Sequence, residues 1–232
     1  MVNIIAIDPS LISTGLMVNN KLFNYCRESD SYNKSGLKKW YKISEELVTY
    51  RMIEYRSFKD YSDGELIKLK DYDSITDMII DDILDNINPN VESYVGIEGF
   101  SFGSTAGDLI DLVAFSTLLR KKIFDKVTEN ITVLAPSTLK QETCKMVYKP
   151  IDVGVKKPKL EYRNNEGISG GKFTKREMYQ SIIESEIWND EWAKHLNIIK
   201  DDVFEGKTIK KPHEDLNDAY LIYKYIDLKF NI

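Results

Sequence analysis

The sequence predicts an α/β fold in which helices flank a mixed β-sheet. Two short apolar runs, Val2 to Ile7 and Tyr94 to Ile97, have the unbroken β-rich character of strands buried on both faces. Between them, Ile75 to Ile87 places apolar residues at helical intervals with acids in between, which indicates an amphipathic helix packed on the sheet. The 232 residues, 42% of them hydrophobic, suffice for one sizeable core, so we predict a single domain over 1–232.

The other strands follow from composition and turn residues. Thr14 to Val18 and Lys21 to Tyr25 have strand composition and are separated by Asn19-Asn20, which predicts a hairpin that continues from the first strand. Ile131 to Leu134 is a further short buried strand. The aromatic and β-branched content of Leu37 to Arg56 suits either a helix or a long strand.

Four further helices are predicted in the second half of the chain. One covers 107–124 and is apolar on every side, and another begins at Pro136. Thr174 to Ile187 has Glu177 at capping-box distance from its start. The last helix runs from His213 to about Leu228 and has one apolar face.

Four carboxylates lie where this fold would bring them to one edge of the sheet. Asp8 ends the first strand just before Pro9, and Glu98 ends the second buried run. Asp215 and Asp218 are three residues apart on the last helix, so they lie one above the other and repel unless a cation is bound. The joint pattern predicts a metal site.

Two of the acids also have an ordinary structural interpretation. Asp8 alone is typical of a turn or cap residue, and Asp215 could complement the dipole of its helix.

With only two His and two Cys, and no Cys-x-x-Cys, the chain is not expected to bind zinc. His213 could assist proton transfer beside the acids, or it could be a solvent-exposed residue at the start of its helix.

Three motifs resemble the RuvC-type Holliday-junction resolvases. Ile4 to Ser10 leads to Thr14-Gly15, Val95 to Glu98 follows in the middle of the chain, and Asp215 to Ala219 lies near its end. Ser10 departs from the glycine that is usual in the bacterial enzymes. Segments near 28–72, 146–172 and 197–212 match no part of the family and are expected to be insertions.

The resemblance implies a ribonuclease H-like fold and metal-dependent cleavage of branched DNA. It implies that two Mg²⁺ ions, or Mn²⁺ as a substitute, are bound by Asp8, Glu98, Asp215 and Asp218. Two such ions can hold the attacking and leaving oxygens of phosphodiester hydrolysis, and magnesium prefers hard oxygen ligands. Asp8, at a rigid strand end, is the best candidate to bridge the ions, with Glu98 on one ion and the last helix on the other.

The net charge of −5 is unusual for a nucleic-acid binder, but the charges are segregated. Phe58 to Glu92 has a net charge of −7, whereas Lys140 to Arg176 has +6. Basic residues that could contact phosphates, or could simply be solvated, are Lys145, Lys156, Lys157, Lys172, Lys175, Arg176, Lys210 and Lys211. Phe100 and Phe102, in the loop after Glu98, could stack on an unpaired base or fill the edge of the core.

The apolar helix 107–124 needs cover on two sides. The resemblance implies a homodimer formed through this helix, which would suit the two-fold symmetry of a four-way junction. Alternatively, Leu37 to Leu69 covers the helix within one chain.

Further features of the sequence concern the location of the protein and its alternative functions. No apolar run approaches a membrane span and no signal peptide opens the chain, so no membrane association is expected. Two cysteines give no disulfide framework, which favours a cytoplasmic protein, in the host cytoplasm if the source is viral. Alternative functions are a nuclease for flaps, forks or RNA-containing duplexes, a non-catalytic nucleic-acid-binding relative, and an ATPase or sugar kinase with the same core.

Overall fold

A computed structural model of the chain describes residues 2–28, 36–54, 56, 58–100, 106–154, 157–205 and 209–230. It is an α/β structure built on a six-stranded mixed sheet with helices on its faces. The predicted α/β class is therefore confirmed. Among the described helices, none combines the length and apolarity that a membrane crossing needs.

The central sheet has the strand order β4-β3-β2-β1-β5-β6. Its strands are β1 (Asn3–Asp8), β2 (Ser13–Val18), β3 (Lys21–Arg27), β4 (Val48–Ile53), β5 (Ser93–Glu98) and β6 (Ile131–Leu134). Strands β1, β2 and β3 pair antiparallel, whereas β5 pairs parallel with both β1 and β6, and β4 pairs parallel with β3. A separate hairpin consists of β7 (Pro150–Asp152) and β8 (Leu160–Tyr162).

Eight helices are present in the described part of the chain. They are α1 (Lys38–Ile43), α2 (Tyr61–Leu84), α3 (Ala106–Lys126), α4 (Pro136–Val147), α5 (Lys175–Glu184), α6 (Glu191–Ile198), α7 (Lys200–Glu205) and α8 (His213–Phe230). A single 3₁₀ turn over Gly170–Lys172 precedes α5.

The side chains on the two faces of β1 belong to two separate hydrophobic cores, because successive side chains in a strand point to opposite faces. Ile5 and Ile7 pack with α2 and α3, whereas Ile4 and Ala6 pack with α4, α5, α6 and α8. All six residues of β1 are buried, as the unbroken apolar run predicted.

Several local predictions are confirmed. Asn19 and Asn20 both have positive φ, which is what a two-residue hairpin turn between β2 and β3 requires. Thr174 caps α5 in a capping box with Glu177. Leu37 to Arg56 contains both alternatives, since helix α1 and strand β4 lie within it.

The predicted ends of two helices were wrong. Helix α2 begins at Tyr61, well before Ile75, because the Asp60 side chain accepts hydrogen bonds from the amides of Ser62 and Asp63 and starts the helix there. It ends at Leu84, before Ile87. Helix α5 ends at Glu184 rather than at Ile187.

The three segments predicted to be insertions contain different kinds of element. The segment 28–72 contains α1, the edge strand β4 and the first half of α2. The segment 146–172 contains the small β7–β8 hairpin, and 197–212 contains α7.

Helix α8 lies unusually close to the central strands at two glycines. A Cβ atom on Gly15 of β2 would collide with the carbonyl oxygen of Asp215 and lie 2.8 Å from its carbonyl carbon. A Cβ on Gly96 of β5 would lie 2.5 Å from Cγ2 of Ile222. The missing side chains therefore set the distance between the sheet and the acidic turn of α8.

We predict that Gly15→Ala lowers the free energy of unfolding by about 1–3 kcal/mol, because the backbone of α8 must move away from β2. The measurement is the urea midpoint of each protein. Gly171→Ala is the matched control, since a Cβ there meets only ordinary contacts, the nearest at 3.7 Å. Equal midpoints for the two variants would contradict the argument.

Candidate metal centre

Three carboxylates that are remote in sequence converge at the ends of β1 and β5. Asp8 and Glu98 are the last residues of two neighbouring parallel strands, and Asp218 lies in the second turn of α8. Each offers one oxygen, and the three oxygens lie within 4.8 Å of one another. Asp8 and Asp218 are buried and Glu98 is partly exposed, so the group is open on one side. This cluster could hold a metal ion.

Asp215 is close to the cluster but outside the group of three oxygens. It is buried, and one of its oxygens accepts a hydrogen bond from Nζ of Lys211 at 2.7 Å. The structure thus brings together three of the four predicted acids. The fourth, Asp215, lies about one helical turn from Asp218 and is paired with Lys211.

Two lysines act as counter-charges of the acids. Lys175 forms an ion pair with Asp218, and Lys211 forms one with Asp215. Sequence reasoning assigned both lysines to phosphate contacts, because their pairing with α8 depends on tertiary packing that spacing alone does not reveal. Four carboxylates and two ammonium groups together have a formal charge of −2, so the two lysines compensate only half of the negative charge of these acids.

The crowding of acids changes the protonation of Asp8. Burial raises the pKa of Asp8 well above its ordinary value, and the neighbouring carboxylates Glu98 and Asp215 raise it further, while Lys175 opposes the rise. The physical cause is that like charges in a poorly solvated place cannot all be ionised without a compensating cation. A bound cation would therefore favour the charged form of Asp8.

Unpartnered oxygens support a cation at this place. Oδ1 of Asp218 and Oδ2 of Asp215 are buried and have no hydrogen-bond partner among the described residues. A buried carboxylate oxygen without a donor is costly, so such atoms are usually hydrogen-bonded or bound to metal. The three clustered donors are all carboxylate oxygens, which suits a hard cation such as Mg²⁺ or Mn²⁺ better than zinc.

His213 lies in an aromatic box and not in the acidic cluster. It is fully buried, with Nε2 at 3.1 Å from Nε2 of His195, and it stacks on Trp192 with ring centroids 5.4 Å apart. Burial lowers its pKa to about 3, and neighbouring His195 contributes to the fall. The interpretation of His213 as a solvent-exposed residue was wrong, because the start of α8 is covered by α6.

The same box orients the acids. His213 and Asn217, four residues apart, lie on the face of α8 toward α6, where Nε1 of Trp192 donates to Oδ1 of Asn217 at 3.1 Å. The acids of α8 lie on the neighbouring face, toward the sheet. Sequence reasoning missed Trp192 and His195, since nothing in their spacing connects them with the last helix.

The other predicted contact residues have varied surroundings. Phe100 is half-buried, with the guanidinium of Arg120 over its ring at 4.6 Å, so it lies in a cation–π contact. Lys145 pairs with Glu142 at 2.7 Å. Lys145 is exposed, and so are the predicted contact residues Lys157, Lys172, Arg176 and Lys210. Phe102 and Lys156 lie outside the described residues.

No family model matches the chain, and a search of curated proteins found no similar sequence.

Asp8→Asn is predicted to stabilise the metal-free protein and to remove its stabilisation by metal. In the presence of a chelator, loss of the Asp8 charge relieves its repulsion with the neighbouring carboxylates. The melting temperature of the variant should therefore exceed that of the wild type. Adding Mg²⁺ at ten times its Kd should stabilise the wild type by about 1.4 kcal/mol, or about 3–6 °C, and leave the variant unchanged. Asp125→Asn, which removes an exposed ion-paired acid, is the control and should behave as the wild type. An equal metal shift in Asp8→Asn would contradict the assignment.

His213→Phe is predicted to reduce the loss of stability in mild acid. The folded pKa is about 3 and the unfolded value about 6.5, so below pH 6.5 only the unfolded chain binds the proton. Stability from this group is complete above pH 6.5 and falls as the pH decreases. Between pH 7 and 5.5 the wild type should lose about 1 kcal/mol more than His213→Phe in urea unfolding. Equal losses would show that His213 is protonated as easily when folded as when unfolded.

Proposed function

We propose that the protein is a metal-dependent endonuclease of ribonuclease H-like fold that cuts four-way or otherwise branched DNA. The observation that supports this most is the convergence of Asp8, Glu98 and Asp218 from two strand ends and one helix. The strand arrangement adds support, because the antiparallel strands β1, β2 and β3 lie beside β5 and β6, which pair parallel with β1 and with each other, and an acid ends both β1 and β5.

The chain's own residues suit phosphodiester hydrolysis. Asp8, Glu98 and Asp218, with Asp215 nearby, would hold two Mg²⁺ or Mn²⁺ ions. Such ions stabilise charge on phosphoryl oxygens and lower the pKa of an attacking water. The strand ends fix Asp8 and Glu98, while α8 fixes Asp218. Nζ of Lys175 lies at the same place and can donate to a phosphate oxygen once it leaves Asp218.

Basic residues extend from the cluster toward a DNA backbone. Lys175 and Arg176 form the first turn of α5, whose amino end itself favours phosphate, and Lys172 lies just before it. Lys210 is exposed and precedes α8 by three residues. DNA affinity should consequently fall steeply with salt.

We also propose that the protein forms a homodimer through α3. Helix α2 packs on one side of α3, with Tyr72 edge-on to Phe115 at 5.8 Å and Lys68 paired with Asp111 at 3.0 Å. Helix α2 therefore covers one side of α3 within the chain, which agrees in part with the alternative that Leu37 to Leu69 provides this cover. It leaves a stripe uncovered, since Ile110 is 68% exposed and Val113 is also exposed. A second copy would bury this stripe and place two active sites on opposing strands.

Cleavage of a labelled four-way junction, beside linear duplex and forked DNA in Mg²⁺ or Mn²⁺, tests the nuclease. We expect paired symmetric cuts in the junction, reduced at least about 100-fold in Asp218→Asn because a metal ligand is lost. Asp227→Asn on the same helix is the control and should keep full activity. Equal cutting of forks would keep the chemistry and remove the junction preference. No metal-dependent cutting of any nucleic acid would refute the proposal.

The dimer is tested by sedimentation of Ile110→Glu, which places a charge in the exposed stripe. We expect the wild type to sediment as a dimer and the variant as a monomer. Leu69→Glu, which changes a leucine on α2 that is 59% exposed, should remain dimeric. A monomeric wild type, or dissociation by both substitutions, would rule out this interface.

A further inference from the structure

Arg120 on α3 has a positive charge that no carboxylate of the described residues neutralises. Burial lowers the pKa of its guanidinium, and no nearby acid opposes the fall. Other arginines are ion-paired, and these pairs are Arg51 with Asp82, Arg56 with Asp71, and Arg163 with Glu161. A half-buried guanidinium without such a partner is suited to bind an anion from outside the chain.

One edge of this guanidinium is occupied and its other end is open. Nε and Nη2 donate to Oγ of Ser116, at 3.3 and 3.1 Å, and Ser116 is fully buried one turn earlier on the same helix. The guanidinium lies over the ring of Phe100, 4.6 Å from the ring centroid. Nη1 has no hydrogen-bond partner among the described residues and is not enclosed, so it reaches solvent. A planar group fixed in this way is pre-organised for an acceptor at its open end.

Phe100 connects this arginine with the end of β5 that carries Glu98. Ile97 packs in the core with α2 and α3, whereas a Cβ on Gly96 would meet α8, so Glu98 points to the α8 side by alternation. Arg120 therefore belongs to the opposite face of the sheet from the acidic cluster, but it lies at the same end of β5.

The distance along that end of the strand is short on the scale of DNA. Two Cα steps separate Glu98 from Phe100, which limits the distance between their Cα atoms to about 7.6 Å. A major groove alone is about 12 Å wide. A duplex at the acids is consequently wide enough to extend to Phe100 and the arginine beside it.

The composition of the adjoining chain favours a phosphate as the anion. Residues 99–107 contain three hydroxyl side chains, three glycines and no acid. Asp125, an exposed acid farther along α3, is paired with Lys121. Arginine, hydroxyl groups and backbone N–H groups are the usual donors to DNA phosphates.

We propose that Arg120 binds a backbone phosphate of DNA on the α3 side of the sheet, separate from the acidic cluster. The inference rests on the proposed nuclease function and adds a second point at which the DNA is held. Contacts on both sides of the end of β5 would fix the direction of the duplex across the acids. Because phosphates carry no sequence information, the contact should contribute equally to binding of every sequence.

The test is the salt dependence of DNA affinity. Asp8→Asn protein is titrated onto a labelled four-way junction in the presence of a chelator, which keeps the DNA intact, between about 50 and 200 mM KCl. Arg120→Gln is introduced into this background. Lys126→Gln is the matched control, because it removes the same charge from an exposed lysine on the same helix that is paired with Asp77.

We expect Arg120→Gln to bind about tenfold more weakly at the lowest salt concentration. The slope of log K against log salt concentration should become shallower by about 0.9, because one counterion fewer is released. Lys126→Gln should keep the slope of its parent. Equal slopes for Arg120→Gln and its parent, or the same reduction in Lys126→Gln, would overturn the proposal.

Sedimentation separates a DNA phosphate from a carboxylate of a second copy. Arg120→Gln should associate as its parent does. Loss of a parental dimer in this variant, whatever its slope, would overturn the proposal and assign the guanidinium to the second copy.

Arg120→Lys keeps a charge but not the planar fork, and it serves where Arg120→Gln fails to fold. We expect it to keep the parental slope and to lose about threefold in affinity. Parental affinity in Arg120→Lys would then overturn the proposal.

Cleavage by the wild type distinguishes this contact from the nuclease. A shallower slope in Arg120→Gln without cleavage of any nucleic acid by the wild type would support the contact and refute the nuclease. Metal-dependent cleavage with equal slopes would support the nuclease and overturn the contact.

Discussion

The close contact between helix α8 and strands β1, β2 and β5 is the constraint on which the candidate site depends. It exists because Gly15 and Gly96 have no side chain at two points where the helix touches the sheet. The contact places Asp218 against the ends of β1 and β5, where Asp8 and Glu98 emerge. Without it the acids would be ordinary residues at strand and helix ends, each with its own solvent shell.

The contact has an electrostatic cost, and much of the surrounding structure offsets it. Carboxylates taken from water and placed together repel, which raises the pKa of Asp8. Lys175 and Lys211 supply positive charge, yet two buried oxygens on α8 have no donor within the described part of the chain. On the far side of the helix, the stacked box of Trp192 and His213 holds the acidic turn in place. A site that is rigid, negative and incompletely satisfied is suited to a divalent cation.

The sequence predicted the scaffold and the identities of the acids better than their surroundings. Unbroken apolar runs are enough to identify β1 and β5, and the acids that end parallel neighbours must be adjacent. Lys175 could be recognised as basic but not as the partner of Asp218, because residues 43 positions apart meet only through packing. The burial of His213 depends on α6, and the full length of α2 depends on the Asp60 cap, whose signal is weak beside a hydrophobic period.

The most direct test of the metal site is anomalous diffraction from crystals soaked in Mn²⁺. The account predicts a strong anomalous peak within bonding distance of the carboxylates of Asp8, Glu98 and Asp218, with Nζ of Lys175 moved away from Asp218. Asp218→Asn crystals soaked in the same way should lack it. A wild-type crystal with no peak there, and with Lys175 still paired to Asp218, would contradict the account.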